Sequence, residues 1–139
     1  MFLLDTTVVS EMRKLEKGKG DANVRRWLVS IDADSLYISV ITILEMESGY
    51  LLMLRKDPVQ ARPLAAWLYE TVLPEFGRRM LSVERDVALR CAALHIPDPR
   101  PYRDSLIAAT ALAHGLTVVT RNVKDFTPMG VKVLNPWER

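Results

Sequence analysis

The sequence predicts an α/β domain on a mostly parallel central sheet. Short β-rich apolar runs alternate with helical stretches along the whole chain. The run Leu116–Thr120 (LTVVT) has the composition of a strand buried on both faces, as parallel sheets require. Acids recur just after strands or in the first turns of the helices that follow. In open parallel sheets that edge is where ligands bind.

The first strand is Met1–Leu4, and it runs straight into Asp5. A helical turn starts near Thr6 or Ser10, and Gly18 and Gly20 break it. Asp21 then caps a helix through about Ile31, with Val24, Trp27, Leu28 and Ile31 on one face. Ser35–Val40 (SLYISV) is the second strand. Thr42 and Glu45 match a capping box that opens the next helix, which runs to about Lys56. A further helix reaches about Leu73, and its start falls at Pro58 or Pro63. The outer faces of these two helices carry apolar surface that core burial or a dimer interface would use.

Arg79–Val83 is the third strand and Glu84–Ile96 a helix. Pro97, Pro99 and Pro101 make the next stretch a loop. Tyr102–His114 is apolar nearly all round, hence a buried helix, and Gly115 ends it. After the Leu116–Thr120 strand, Asn122–Phe126 is a loop or single turn. Val131–Leu134 is the last strand and residues 135–139 the tail.

The chain of 139 residues has the size of one domain, spanning 1–139. Its 49% hydrophobic content supports a core. With 19 basic and 17 acidic residues the net charge is only +2, so nucleic-acid binding would depend on local arrangement. Such arrangement exists where Arg13, Lys14, Lys17 and Lys19 fall close together. The single cysteine, Cys91, excludes an internal disulfide and reads as a small core residue. One cysteine and two histidines do not make an ordinary zinc site. The N-terminus meets Asp5 too early for a secretory leader, and no apolar run reaches membrane-spanning length. A soluble, cytoplasmic protein is expected, with no membrane partner.

The acids carry the chemistry. Asp5 ends the first strand, and Glu45 lies early in the helix after the second. Asp104 opens the buried helix, and Asp125, with Asn122 before it, follows the strand ending at Thr120. Right-handed connections bring these positions to one edge of the sheet. Each also has a plainer role: Asp5 as an N-cap, Glu45 as the capping-box partner of Thr42, Asp104 as a complement to the helix dipole, Asp125 as an exposed loop acid. Glu11 reads as surface helix, Glu47 as solvated and Asp98 as a turn residue. Clustered carboxylates stay ionised together only around a cation, and an oxygen-only donor set favours Mg²⁺ or Mn²⁺. Such ions suit phosphodiester hydrolysis.

The stretches LLDTTVVSE, ITILEMESGY, RDSLIAATALAHGLTVVTRNVKDF and VKVLNPW resemble the PIN-domain family, in particular the VapC-type toxins of type II toxin–antitoxin pairs. The likeness runs through essentially the whole chain. It implies a three-layer α/β/α fold and a Mg²⁺- or Mn²⁺-dependent endoribonuclease. It also implies a homodimer inhibited by a small antitoxin, with DNA met only through that antitoxin. Asp5, Glu45 and Asp104 match the family's main acidic positions, and Thr120 a hydroxyl position near the metal. The fourth acidic position falls on Asp125 or Asn122; Asp125 takes it here, with Asn122 as an orienting amide. Thr7 departs from the family's more usual Asn.

On this reading Asp5 and Asp104 ligate the principal metal, and Glu45 holds it through water or orients the attacking water. Thr6 and Thr120 supply supporting hydrogen bonds. Arg121, Lys124, Arg13 and Lys14 are candidates for phosphate contacts. One rival is a phosphatase that forms an aspartyl-phosphate, which would want a second carboxylate where Thr7 stands. Another is a weakly active or inactive module that mainly holds a DNA-binding antitoxin at its operator.

Overall fold

The computed structural model describes residues 1–138; Arg139, the end of the expected tail, lies outside the described residues. Five short strands pair in parallel: β1 (Phe2–Leu4), β2 (Leu36–Ser39), β3 (Met80–Leu81), β4 (Thr117–Val119) and β5 (Val133–Leu134). Their order across the sheet is β3-β2-β1-β4-β5. Phe2 faces Leu36 on one side and Thr117 on the other, so β1 is central.

Side chains alternate across a strand, and the alternation splits the core in two. Leu3 and Val118 pack with Ile107, Ala108 and Ala111, which belong to α7 (Tyr102–His114). Leu4, Ile38 and Val119 pack on the other face with Val8 and Val9 of α1 (Thr6–Glu16) and with Trp67, Leu68 and Val72. This is the expected three-layer α/β/α arrangement. Further helices are α2 (Ala22–Ser30), α3 (Val40–Lys56), α4 (Pro58–Ala66), α5 (Leu73–Phe76), α6 (Arg85–Leu94) and α8 (Val123–Phe126). Cys91 is buried, as expected. No helix among the described residues is long and apolar enough to cross a membrane.

One helix start differs from expectation and another is decided between two expected ones, in each case by the cap at hand. Ser39 closes β2 and also caps α3, its hydroxyl accepting from the Ile41 N–H at 3.0 Å. The helix therefore begins at Val40, and Thr42 is an internal, fully buried residue rather than the first member of a capping box. Glu45 is thereby free of a capping duty. Asp57 caps the next helix, its carboxylate accepting from the Val59 and Gln60 N–H groups at 3.1 and 3.2 Å. The start is thus Pro58, and Pro63 lies inside the helix. Beyond Ala66 the chain continues as a π-helical segment, Trp67–Val72, which puts Trp67, Leu68 and Val72 into the core.

Glu11 is not a surface residue. It is 7% exposed, and its carboxylate accepts from the Asp21 N–H at 2.6 Å, while Lys14 lies 3.8 Å away. Gly20 makes this approach feasible. Its φ is +96°, and a Cβ there would stand 2.8 Å from Leu15 and 3.0 Å from Glu11. The bond ties the end of the glycine turn to α1, and Asp21 then caps α2 through the Asn23 and Val24 N–H groups.

Candidate metal centre at the carboxyl edge of the sheet

β1 ends at Leu4, and Asp5 leaves the sheet to cap α1. Its Oδ1 accepts from the Thr6 N–H at 2.8 Å. Its Oδ2 accepts from the Thr120 hydroxyl at 2.8 Å and the Thr7 hydroxyl at 3.2 Å. Asp5 is 5% exposed and Thr120 wholly buried, so this carboxylate is fixed in orientation. Thr120 in turn accepts from the Asn122 N–H at 3.0 Å, which joins the loop after β4 to the same network. The capping role and a site-facing role thus coincide in one residue. Thr7, the departure from the family pattern, also places its hydroxyl on Asp5.

Glu45 lies on α3 and points back across the sheet edge. Thr6 donates to its Oε1 at 2.7 Å, and the Thr6 hydroxyl lies 3.2 Å from that of Thr42. Arg103 donates to Glu45 Oε2 at 2.9 Å. The same guanidinium lies 3.5 Å from Asp104 Oδ1, on the first turn of α7. Glu45, Asp104 and Asp5 all raise the pKa of Arg103, Glu45 most strongly, against the opposing effect of burial. Two acids from two helices therefore contact one cation, and Asp5 acts on it weakly from further away.

Burial pushes the Asp104 carboxyl above its ordinary pKa, Arg103 works in the opposite direction, and the charges of Asp125 and Asp5 raise it further. Asp125 is exposed, at the start of the short helix after β4, and its charge reaches Asp104. Asn122 lines the cavity with Asp5 instead. That cavity measures about 340 Å³ and includes Asp5, Thr6, Thr7, Glu45, Lys14, Arg103, Arg121 and Trp137 in its wall. Arg121 lies over the Trp137 ring at 5.3 Å. Lys14 and Arg121 thus belong to the cavity wall, whereas Arg13 and Lys124 stand outside it.

The donor set is oxygen only, which is hard-cation chemistry. Among the described residues no three His, Cys, Asp or Glu side chains stand together as a ready-made ligand set. Between Glu45 and Asp104 stands the Arg103 guanidinium, a cation at the place where the acids meet. The residues fit a cation, and in their present positions they hold the chain's own. Sequence reasoning missed Arg103. The signal was an arginine directly before Asp104, but its main partner, Glu45, lies 58 positions away.

The fold is a parallel α/β sheet with Asp5, Glu45 and Asp104 placed along its carboxyl edge. The PIN-domain family model matches residues 2–128, and the chain belongs to that family. It is 34% identical to the VapC ribonuclease Y4jK of Sinorhizobium fredii over 146 residues, covering 99% of each chain. It is also 34% identical to Toxin FitB of Neisseria gonorrhoeae over 145 residues, again covering 99% of each. The crystal structure of FitAcB from Neisseria gonorrhoeae superposes with a TM-score of 0.87 at 33% identity, covering all of both chains.

Proposed function

We propose that the 139 residues form one nuclease domain, the toxin of a type II toxin–antitoxin pair, which hydrolyses RNA phosphodiester bonds with Mg²⁺ or Mn²⁺. The observation that carries this reading is the placement of Glu45 and Asp104 at 2.9 and 3.5 Å from a single cationic group, Arg103, with Asp5 in the same cavity wall as Glu45 and Arg103. The similarity to a protein named a VapC ribonuclease and to one named a toxin supports it.

Asp5, Asp104 and Glu45 would hold the ion, with Asp125 or Asn122 in the fourth position. The chemistry supplied by such an ion is neutralisation of phosphate charge and activation of water. Asp5 contributes a carboxylate fixed by Thr120, Thr7 and the Thr6 N–H. Glu45, held by Thr6, would orient the attacking water or reach the ion through one. Lys14 and Arg121 face the cavity where a phosphate backbone would enter; Arg13 and Lys124 would act further out along the strand.

The partners follow the same reading: RNA as substrate, a small antitoxin as inhibitor, and DNA only through that antitoxin. A homodimer is supported by exposed Leu44, Leu51 and Leu52 on α3, apolar surface that the monomer leaves uncovered. The protein would act in the cytoplasm. Induced expression of the wild type in a bacterial host without the antitoxin is expected to arrest growth, and Asp5→Asn to relieve the arrest. Equal arrest by both proteins at equal abundance would refute the assignment of Asp5.

A further inference from the structure

Arg103 occupies oxygens that the proposed metal would use. Glu45 commits Oε1 to the Thr6 hydroxyl, and Arg103 takes Oε2 at 2.9 Å. Asp104 turns Oδ1 toward the same guanidinium at 3.5 Å. The Arg103 side chain is 55% exposed at the first turn of α7, whereas those of Glu45 and Asp104 are 18% and 10% exposed. The acids are held by the fold, and the arginine reaches them from solvent on a long flexible stem. A guanidinium left there would repel an incoming divalent ion and occupy carboxylate lone pairs that the ion would need. Released, its planar fork suits a phosphate group.

We propose that Arg103 is a resident cation that competes with the divalent metal for Glu45 and Asp104, and that metal entry hands its guanidinium to the RNA backbone. The inference rests on the reading of this site as a metal centre. Arg103 is then a positioning residue for the empty site and a phosphate contact in the loaded one. It also links the two ligands. RNA draws the arginine off the acids and so favours metal, and metal frees it for RNA, by the same factor in each direction.

Calorimetric titration with Mn²⁺ alone, at constant pH, tests the competition in wild type, Arg103→Met and Arg103→Lys. The structure predicts that Arg103→Met binds Mn²⁺ roughly tenfold more tightly than wild type, as expected from losing two partly exposed ion pairs to the arginine. Arg103→Lys, which keeps the charge without the fork, should fall between them. Wild type that binds Mn²⁺ with Arg103→Met binding no more tightly would overturn the competition and leave the metal site standing. Absence of Mn²⁺ binding in all three proteins would overturn both. In the presence of Mn²⁺, the affinity of Arg103→Met for a mixed-sequence 2′-O-methyl RNA should fall and the slope of log K against log salt should shrink by about one contact. An unchanged slope, or no RNA binding by the wild type, would overturn the transfer to phosphate.

Discussion

Replacement of Thr120 by valine removes one hydroxyl from a wholly buried position and changes little else in shape. That hydroxyl donates to Asp5 Oδ2 at 2.8 Å and accepts from the Asn122 N–H at 3.0 Å. The substitution therefore withdraws a donor from a buried carboxylate and strands a backbone N–H. A hydrogen bond to a charged group contributes about 1.5–3 kcal/mol, so a loss of about 2 kcal/mol is expected. With an unfolding entropy of about 2.1 cal/mol/K per residue, a chain of 139 residues has roughly 0.3 kcal/mol/K, and Tm should fall by about 7 °C. Because Asp5 loses the shortest bond to its Oδ2 and keeps only the Thr6 N–H and the Thr7 hydroxyl, Mn²⁺ affinity should drop by about tenfold. Differential scanning calorimetry and Mn²⁺ titration read the two effects, with Thr120→Ser as the control that keeps the hydroxyl. A Thr120→Val protein as stable as Thr120→Ser, with the same affinity for Mn²⁺, would refute the role given to this bond.

Asp104→Asn should stabilise the metal-free protein at neutral pH. The folded carboxyl titrates above its unfolded value, so the native state holds an extra proton in that interval and stability falls as pH rises through it. Thermal melts of wild type and variant should therefore diverge above the ordinary carboxylate range and converge below it; a gain that persists in acid would contradict the assignment. Glu11→Ala should cost about 1–3 kcal/mol in chemical denaturation, since it strands the Asp21 N–H inside the turn before α2. A variant as stable as wild type would show that water satisfies that group.

Periodicity and punctuation made much of the fold legible. The buried helix Tyr102–His114 has its expected bounds, because an almost wholly apolar run lies between a proline loop and Gly115, whose φ of 66° ends the helix. Strand ends were harder to read. Asp5 and Ser39 leave or finish their strands in order to cap the next helix, a choice made by local hydrogen bonds rather than by hydropathy. Thr42 and Glu45 carry the letters of a capping box, but Ser39 stands at the strand–helix junction and takes the cap first. Glu11 looked like surface because its partner is a backbone N–H ten residues away across the glycine turn.

At the site, the placement of Asp5, Glu45 and Asp104 was legible because each follows a strand or lies early in a helix, and topology collects such positions at one edge. Arg103 and the hydroxyl pairing of Thr6 with Glu45 were not. Both depend on how α1, α3 and α7 meet, with partners 39 and 58 positions apart. Thr7 shows the reverse case. It departs from the family's more usual Asn, and its hydroxyl nevertheless donates to the Asp5 carboxylate at 3.2 Å.

On the proposed function, Asp5, Glu45 and Asp104 together hold a divalent cation for RNA hydrolysis. The most direct test is cleavage of an end-labelled RNA pool by purified wild-type and Asp5→Asn protein across a Mn²⁺ titration, with a chelator as the zero point. Cleavage by the wild type should rise and saturate with Mn²⁺, and Asp5→Asn should cleave at no concentration. Cleavage that survives the chelator, or equal cleavage by both proteins, would contradict that function.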